Sequence, residues 1–397
     1  MVTVQEQYEV YPYPERDPAD ERTRLITGSP SHPLEIDHFL FAGKRDWSQP
    51  LRALVAGGGT GDGLIQLAQV LASAGKPYAI TYLDMSKAAR AVAEARAEAR
   101  GLTGITFVTG SLLDAAEHGP FDYIDCCGVL HHLPEPEAGF GALRAALAPG
   151  GGMGFMVYAP YGRSGVYPLQ EAFGTLLDGL PPEERLARAK EIVAALPEGH
   201  PFAANTNLRD HRDSDAGFYD LLLHAQDRAY DVESLLATLD ATGWQLVSFS
   251  MPALYDLGRI TDRPEGMPDR AAMAAAEKLR GTIKTHVAYA APAGEDRKPA
   301  TMRDRSLVPH LRGAAPDAVA RAVGQGKPLP VSLGGAKTQL DLPKNAARAL
   351  AAVNGRRSLR EIEAASSLDP IAFGAAWGRV DAELPACGLM LYSSLGR

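Results

Sequence analysis

A glycine-rich turn between an apolar run and a helical pattern constrains this chain more than any other feature. Residues 54–56 are apolar, and Gly57, Gly59 and Gly61 follow them in G-x-G-x-G spacing. A backbone without Cβ atoms can lie flat against a bound nucleotide, and the strand, turn and helix predict the start of a βαβ unit. The helix is indicated by apolar residues at helical spacing, namely Leu64, Ile65, Leu67, Ala68 and Leu71. The turn alone does not identify the ligand.

An acidic residue ends the next apolar run. Residues 78–83 predict a buried strand, and Asp84 follows it. A carboxylate about twenty residues after such a glycine turn meets a ribose diol in βαβ units. Nicotinamide cofactors and S-adenosylmethionine both satisfy these two features.

A third motif separates the two cofactors. Residues 121–133 read FDYIDCCGVLHHL, and LAPGGG at 147–152 leads into another apolar run that ends at Tyr158. With the glycine turn and Asp84, this pattern resembles the class I S-adenosylmethionine-dependent methyltransferases over residues 50–160. The resemblance implies a methyltransferase that uses S-adenosylmethionine and releases S-adenosylhomocysteine. A dehydrogenase remains a weaker alternative.

The resemblance also implies which residues bind the cofactor. In that family the glycine motif wraps the methionine part, the acidic residue after the second strand holds the ribose, and a short stretch after the third strand brackets the adenine. Carried over by position, the implied cofactor-binding residues are Gly57, Gly59, Gly61, Asp62, Asp84, Met85, Ser111, Leu112, Cys127 and Gly128.

The chain departs from the family at Val55, where an acidic residue usually helps to hold the methionine end of the cofactor. We therefore expect backbone groups, Asp62 or the tyrosines of the N-terminal segment to hold that end. Asp125, inside a predicted central strand, is interpreted as a buried carboxylate with satisfied hydrogen bonds rather than a catalytic group. The departure leaves open an alternative function, a non-catalytic regulatory protein that binds S-adenosylmethionine.

The N-terminal segment carries a motif that the core does not explain. Residues 8–14 read YEVYPYP and resemble the opening of a group of bacterial class I methyltransferases. Proline fixes an extended chain and tyrosine adds large rigid surfaces, a composition suited to lying across a cleft. We expect residues 1–50 to cover the cofactor cleft, with Tyr13 in contact with the cofactor. A packing strap is the alternative.

Candidates for proton transfer come from three places. A sulfonium methyl group is already activated, so a base is needed only when the nucleophile retains a proton. The candidates are His131 after the fourth strand, with the adjacent His132 as an equal alternative, Tyr161 after the fifth, and His224 in the HAQDRAY stretch at 224–230. Within that stretch, Asp227 and Arg228 are expected to pair.

The loop after the fifth strand predicts a mobile aromatic rim, in which Arg163 is an exposed group suited to an anionic substrate. No metal-ligand spacing, nucleophile elbow or phosphate loop with lysine occurs, so no metal site is predicted and hydrolases and kinases are poorly supported.

The predicted fold class is α/β: a Rossmann-like, doubly wound, seven-stranded sheet over residues 51–293 with a helical insertion at 161–230. A proline-, glycine- and charge-rich linker near 293–300 precedes a small C-terminal α+β domain at 300–397. There a hairpin at 331–342, three short helices and a closing strand resemble winged-helix modules. A stabilising or dimerising appendage, a peptide-binding module and a DNA-binding module are its three alternatives.

Composition favours a cytoplasmic enzyme. The formal charge is −8, three cysteines give no disulfide framework, and neither a signal peptide nor a membrane-length apolar run is present. The charge argues against general nucleic-acid binding and the sequence suggests no membrane partner. Because of the C-terminal domain, a protein or peptide side chain is favoured over a small molecule as methyl acceptor. A homodimer is left open.

Overall fold

The computed structural model describes residues 4–396. Met1 to Thr3 and Arg397, the outer ends of two predicted regions, lie outside the described residues. The strands are β1 Leu51–Ala56, β2 Tyr78–Asp84, β3 Ile105–Thr109, β4 Phe121–Cys127, β5 Leu147–Tyr158, β6 Trp244–Phe249, β7 Thr285–Pro292, β8 Val308–Leu311, β9 Leu329–Leu333, β10 Ala336–Leu340 and β11 Met390–Ser393. The α-helices are α1 Val4–Val10, α2 Pro33–Leu40, α3 Asp62–Ser73, α4 Lys87–Ala99, α5 Pro136–Ala145, α6 Val166–Leu176, α7 Pro182–Ala194, α8 Pro201–Ala204, α9 Asp210–Asp213, α10 Asp215–Leu222, α11 Val232–Ala241, α12 Asp269–Arg280, α13 Pro316–Gly324, α14 Ala347–Ala351, α15 Leu359–Ser366 and α16 Pro370–Glu383.

The seven-stranded sheet has the order β3-β2-β1-β4-β5-β7-β6. Strands β1 to β5 pair in parallel, and β7 runs antiparallel to both β5 and β6. The predicted Rossmann-like, seven-stranded α/β sheet is therefore confirmed.

The local sequence explains the centre of this sheet. Strand β1 pairs on both sides, and Leu54, Val55 and Ala56 are buried as a strand covered on both faces requires. The predicted apolar stripe of α3 is buried against the sheet. Because β1, β2, β4 and β5 are parallel, their carboxyl ends meet at one edge, where ligand sites of such sheets form.

The insertion after β5 packs around a small core of its own. The insertion is helical, as predicted: α6 and α7 are its longer helices, and α8 to α10 are shorter. Val166, Phe173 and Phe202 belong to one buried cluster with Leu222 at the end of α10. The chain then turns back toward the carboxyl edge of the sheet at His224.

The N-terminal segment is more structured than its sequence indicates. Residues 4–10 form α1, so the expectation of an extended chain is wrong for the first tyrosine of the YEVYPYP motif. Helix α2 was also not predicted. It begins at Pro33 after His32, whose Nδ1 accepts a hydrogen bond from the Leu34 amide, 3.1 Å.

The C-terminal region contains the predicted hairpin, as β9 and β10, followed by α14, α15, α16 and the closing strand β11. Two elements were not predicted: β8, which pairs antiparallel with β11, and α13. The hairpin precedes the three helices in the chain. The resemblance to winged-helix modules stays a prediction.

The C-terminal region shares its buried interior with the sheet. One apolar cluster contains Leu54 and Trp244 together with Trp377 and Val380 of α16. Its strand β11 lies on α2, where the amide of Tyr392 donates to Nδ1 of His38, 3.0 Å.

Asp37 of α2 joins the two parts of the chain. It is fully buried, and its carboxylate accepts hydrogen bonds from the Arg45 amide (2.9 Å), the Trp47 indole (3.2 Å) and the Ser394 amide (3.0 Å). The Ser393 hydroxyl also donates to it, 2.5 Å.

Among the described residues, no helix is both long and apolar enough to cross a membrane.

We expect Asp37→Ala to lower the free energy of unfolding by about 3 kcal/mol, because it leaves several buried donors without a partner. Denaturant unfolding followed by circular dichroism measures this change. Asp262→Ala is the control, because Asp262 is exposed and should change stability by less than about 0.5 kcal/mol. Equal stability of the two variants would contradict the assigned role of Asp37.

Candidate active site

A cavity of about 920 Å³ opens at the carboxyl edge of the sheet. The glycine turn forms one wall, and the ends of β2, β4 and β5 form the floor. Tyr8, Tyr13, Pro14 and Arg16 of the N-terminal segment close a second side, and Asp220, Ala225 and Gln226 near the end of the insertion close a third. A volume of this size accommodates a ligand as large as a nucleotide cofactor.

The glycine turn is packed on both sides. Gly57 has φ +65°, and a Cβ atom there would lie 2.4 Å from a methyl carbon of Val129. Gly59 has φ +50°, and a Cβ atom there would lie 3.0 Å from the carbonyl oxygen of Tyr13. A side chain at either position would push apart the two segments that enclose the cavity.

All the residues predicted to bind the cofactor line this cavity except Gly61. Gly61 precedes α3 in a left-handed conformation and faces Ala93 of α4 instead. The contribution of Gly61 is therefore to the shape of the turn.

Asp84 is fixed against the glycine turn. Its Oδ2 accepts from the Gly59 amide and its Oδ1 from the Ser86 amide, both at 2.8 Å. Burial raises the pKa of Asp84, and these backbone hydrogen bonds oppose the rise. The remaining acceptor capacity of the carboxylate suits a pair of neighbouring hydroxyl groups.

Asp62 is paired within the protein. Its Oδ1 accepts from Arg16 Nε (2.9 Å) and Arg96 Nη1 (2.8 Å), and its Oδ2 accepts from Arg16 Nη2 (2.6 Å). Burial acts to raise the pKa of Asp62, but the hydrogen bonds and charges of Arg16 and Arg96 lower it overall. Asp62 thus lines the cavity with its charge already paired, and its expected contact with the methionine end of the cofactor stays a prediction.

The same arginines tie the N-terminal segment to the sheet. Arg96 is buried and donates to Glu21 (2.7 Å) and to the Thr60 carbonyl (2.8 Å). Arg100 also binds Glu21. The Thr60 hydroxyl donates to the Pro14 carbonyl, 2.6 Å. The segment that lines the cavity is thus attached by buried ion pairs.

Asp125 differs from the other carboxylates of the cavity. It is buried in β4, and its Oδ2 has no hydrogen-bond partner among the described residues. Burial raises the pKa of Asp125 to about 7, partly offset by the Ser31 hydroxyl. The interpretation of Asp125 as a carboxylate with fully satisfied hydrogen bonds is therefore wrong.

The opposite end of the cavity carries a polar network. Tyr8 and Tyr158 each place a hydroxyl 3.0 Å from a different oxygen of Asp220. Tyr8 also lies 3.1 Å from Nε2 of His224, whose ring stacks on His132 with centroids 3.6 Å apart. Burial raises the pKa of Tyr8, so its hydroxyl remains a donor.

His132, rather than His131, faces the cavity. His131 is fully buried, has no partner for either ring nitrogen among the described residues, and does not line the cavity. Burial lowers the pKa of His131 well below its usual value. The selection of His131 as the catalytic candidate is therefore corrected to His132, because the short 3-10 turn at 130–132 directs only the second imidazole inward.

The other two catalytic candidates have different positions. His224 lies behind His132, and burial lowers the pKa of its imidazole well below the usual value. Tyr161 does not line the cavity, and burial raises the pKa of its hydroxyl while the charge of Lys278 on α12 opposes that rise. The structure therefore does not bring Tyr161 to the site.

The rim after β5 is held by a buried arginine. Arg163 is 2% exposed and pairs with Asp227 at 3.3 Å, and its guanidinium lies 3.6 Å from the centroid of the Tyr158 ring. Arg228 pairs with Glu137 at 3.4 Å instead. The expectations of an exposed Arg163 and of an Asp227–Arg228 pair are both wrong.

The sequence spacing indicated no metal site, but folding brings metal-ligating groups together. His132, Asp220 and His224 place donor atoms within 4.8 Å of one another. Asp220 and His224 of this group also lie within hydrogen-bond distance of tyrosine hydroxyls.

We expect Glu21→Gln to lower the free energy of unfolding by about 3 kcal/mol, because it leaves the buried Arg96 partly uncompensated. Limited proteolysis should then cleave the N-terminal segment faster. Asp20→Asn in the same turn is the control: Asp20 pairs with an exposed Arg24, so the change should be under about 1 kcal/mol. Equal protection of both variants would contradict the attachment through Glu21.

Comparison with known proteins agrees with this geometry. Residues 54–153 match the family model of a methyltransferase domain. An uncharacterized protein of Synechococcus sp. is 35% identical over 231 residues, which are 55% of this chain and 50% of that protein. The aligned part of this chain thus spans half the length of that relative.

The fold extends further than the sequence match. The structure of PKMT2 from Rickettsia typhi in complex with AdoHcy has a TM-score of 0.66 at 12% identity, over 92% of this chain and 76% of that one. A second structure of PKMT2 from Rickettsia typhi has a TM-score of 0.63 at 13% identity, over 93% of this chain and 77% of that one. Residues 54–153 are therefore similar to a methyltransferase domain, and the overall fold is similar to that of PKMT2.

Proposed function

We propose that this protein transfers a methyl group from S-adenosylmethionine to a side-chain amine or hydroxyl of a protein or peptide. The observation that carries the proposal is the cavity of about 920 Å³, which joins the glycine turn and Asp84 at one end to His132 and Asp220 at the other. One end offers groups for a nucleoside, and the other offers groups for a proton-bearing acceptor.

The residues at the first end fit the cofactor. Asp84 presents a fixed carboxylate for ribose hydroxyls, and Ser111 and Leu112 lie where an adenine would be bracketed. The bare backbone of Gly57 and Gly59 permits close approach of the methionine part. When bound, the cofactor supplies an activated methyl group on its sulfonium.

His132 is the residue best suited to take a proton from the acceptor. Its Nδ1 lies 2.8 Å from the Gln226 carbonyl, which only accepts, so Nδ1 carries the hydrogen. Nε2 of the neutral ring is then the acceptor. Asp220 lies close enough to stabilise the cation that forms when His132 is protonated, and Tyr8 and Tyr158 hold that carboxylate in place.

A protein or peptide acceptor is supported by the placement of the C-terminal region. Its hairpin contacts the insertion: a Cβ atom at Gly335 would lie 2.7 Å from Oδ1 of Asn207. The insertion in turn leads into Asp220 and His224 at the acceptor end. A chain bound along the hairpin would therefore lie next to residues that shape the acceptor end of the cavity.

Isothermal titration calorimetry with S-adenosylmethionine and S-adenosylhomocysteine tests the cofactor assignment. We expect the protein to bind both, and Gly57→Ala to weaken both by about tenfold or more, equivalent to 1.4 kcal/mol. Gly75→Ala is a matched control, because Gly75 has φ +64° but nothing lies within 4 Å of an added Cβ. Absence of binding to the unaltered protein would contradict the proposed function.

Turnover tests the role of His132. With a panel of peptides bearing amine and hydroxyl side chains, we expect His132→Asn to lower kcat by about 10²-fold or more. The affinity for S-adenosylhomocysteine should stay within about twofold, since the hydrogen bond to Gln226 is retained. Raising the pH should restore part of the rate, because the acceptor then loses its proton unaided.

His118→Asn is the control for that experiment, because His118 is exposed. Unchanged kcat in His132→Asn would contradict the assignment of the base. Cofactor binding without turnover of any peptide or small-molecule acceptor would favour the regulatory alternative instead.

A further inference from the structure

One buried carboxylate in the cavity has an unused oxygen, and it lies beside the glycine turn. Asp125 in β4 is the register partner of Val55 in β1, so the two side chains point to the same face of the sheet. Both line the cavity. Val55 presents only methyl groups at this position, whereas Asp125 presents a carboxyl group.

The unpaired oxygen of Asp125 lies beside the first turn of α3. A Cβ atom at Gly63 would lie 3.4 Å from Asp125 Oδ2 and 2.7 Å from Ser31 Oγ. Because Gly63 has no side chain, Ser31 and Asp125 supply the polar groups at this part of the cavity wall, which all three residues line.

A buried carboxylate oxygen without a donor is costly unless something pairs with it. The other cavity carboxylates already have partners: Asp62 binds two arginines, Asp84 binds two backbone amides, and Asp220 binds two tyrosines. Among the described residues of the cavity, Asp125 is the carboxylate that retains an unpaired oxygen. The ligand chemistry that satisfies it is a cationic group with N–H donors.

We propose that Asp125 of β4 binds the α-ammonium group of the methionine part of the cofactor. Asp125 would thereby supply the carboxylate that β1 lacks, because β1 has Val55 at the corresponding position. This inference rests on the proposed function. It predicts which part of the cofactor depends on Asp125, because the ammonium group belongs to the amino-acid end and not to the nucleoside.

Two ligands separate those parts. S-adenosylhomocysteine carries the amino-acid end, whereas 5′-methylthioadenosine has the same nucleoside and thioether without it. In calorimetry we expect Asp125→Asn to weaken S-adenosylhomocysteine on the order of 10- to 100-fold, the effect of a lost charged hydrogen bond. The affinity for 5′-methylthioadenosine should change by less than about twofold. Asp84→Asn is the matched control and should weaken both ligands.

Transferring the carboxylate from β4 to β1 tests the same inference through a recovery of affinity as well as through a loss of affinity. Asp125→Val should weaken S-adenosylhomocysteine as Asp125→Asn does. Adding Val55→Asp to Asp125→Val should recover most of the affinity. Thermal melting of each variant confirms that the proteins compared are folded.

The outcomes distinguish the inference from the proposed function. If the unaltered protein binds neither ligand, both fail. If it binds both, and Asp125→Asn leaves the affinity for S-adenosylhomocysteine unchanged or weakens both ligands equally, the proposed function stands and the role of Asp125 is overturned. Selective loss with recovery by Val55→Asp establishes the inference.

Discussion

The structure depends on the close approach of three chain segments at the glycine turn. Gly57 lies against Val129 after β4, and Gly59 lies against Tyr13 of the N-terminal segment. Neither contact leaves room for a side chain, so the neighbouring segments pack directly on the turn, and the turn lines the cavity with backbone atoms alone. The ion pairs of the buried Arg96 with Glu21 and Asp62 join the N-terminal segment to the start of α3.

The cavity has buried carboxylates at both of its ends, and their hydrogen-bond partners differ. Near the glycine turn, Asp62 forms ion pairs with two arginines, whereas one carboxylate oxygen of Asp125 has no hydrogen-bond partner among the described residues. At the far end, Asp220 is held by tyrosine hydroxyls beside His132. Under the proposed function, recognition of a charged ligand end and transfer of a proton would therefore use different carboxylates, each with its own partners.

The sheet and the cavity wall formed by the glycine turn and Asp84 could be predicted because their signals are local: an apolar run, a glycine spacing and an acidic residue at a strand end. The acceptor end could not. Whether His131 or His132 faces inward depends on one short turn, and the partners of Asp62 and Arg163 lie 34 to 64 residues away in the chain. The unpaired oxygen of Asp125 depends on how β4 packs against Gly63 and Ser31, which are distant in the chain, so no local sequence pattern predicts it.

A crystal structure of the protein with S-adenosylhomocysteine tests the central claim most directly. The account predicts the ribose hydroxyls on Asp84, the α-amino nitrogen within hydrogen-bond distance of Asp125, and the sulfur directed toward His132 and Asp220. A ligand whose amino group lies away from Asp125, or whose sulfur points away from His132, would contradict the account.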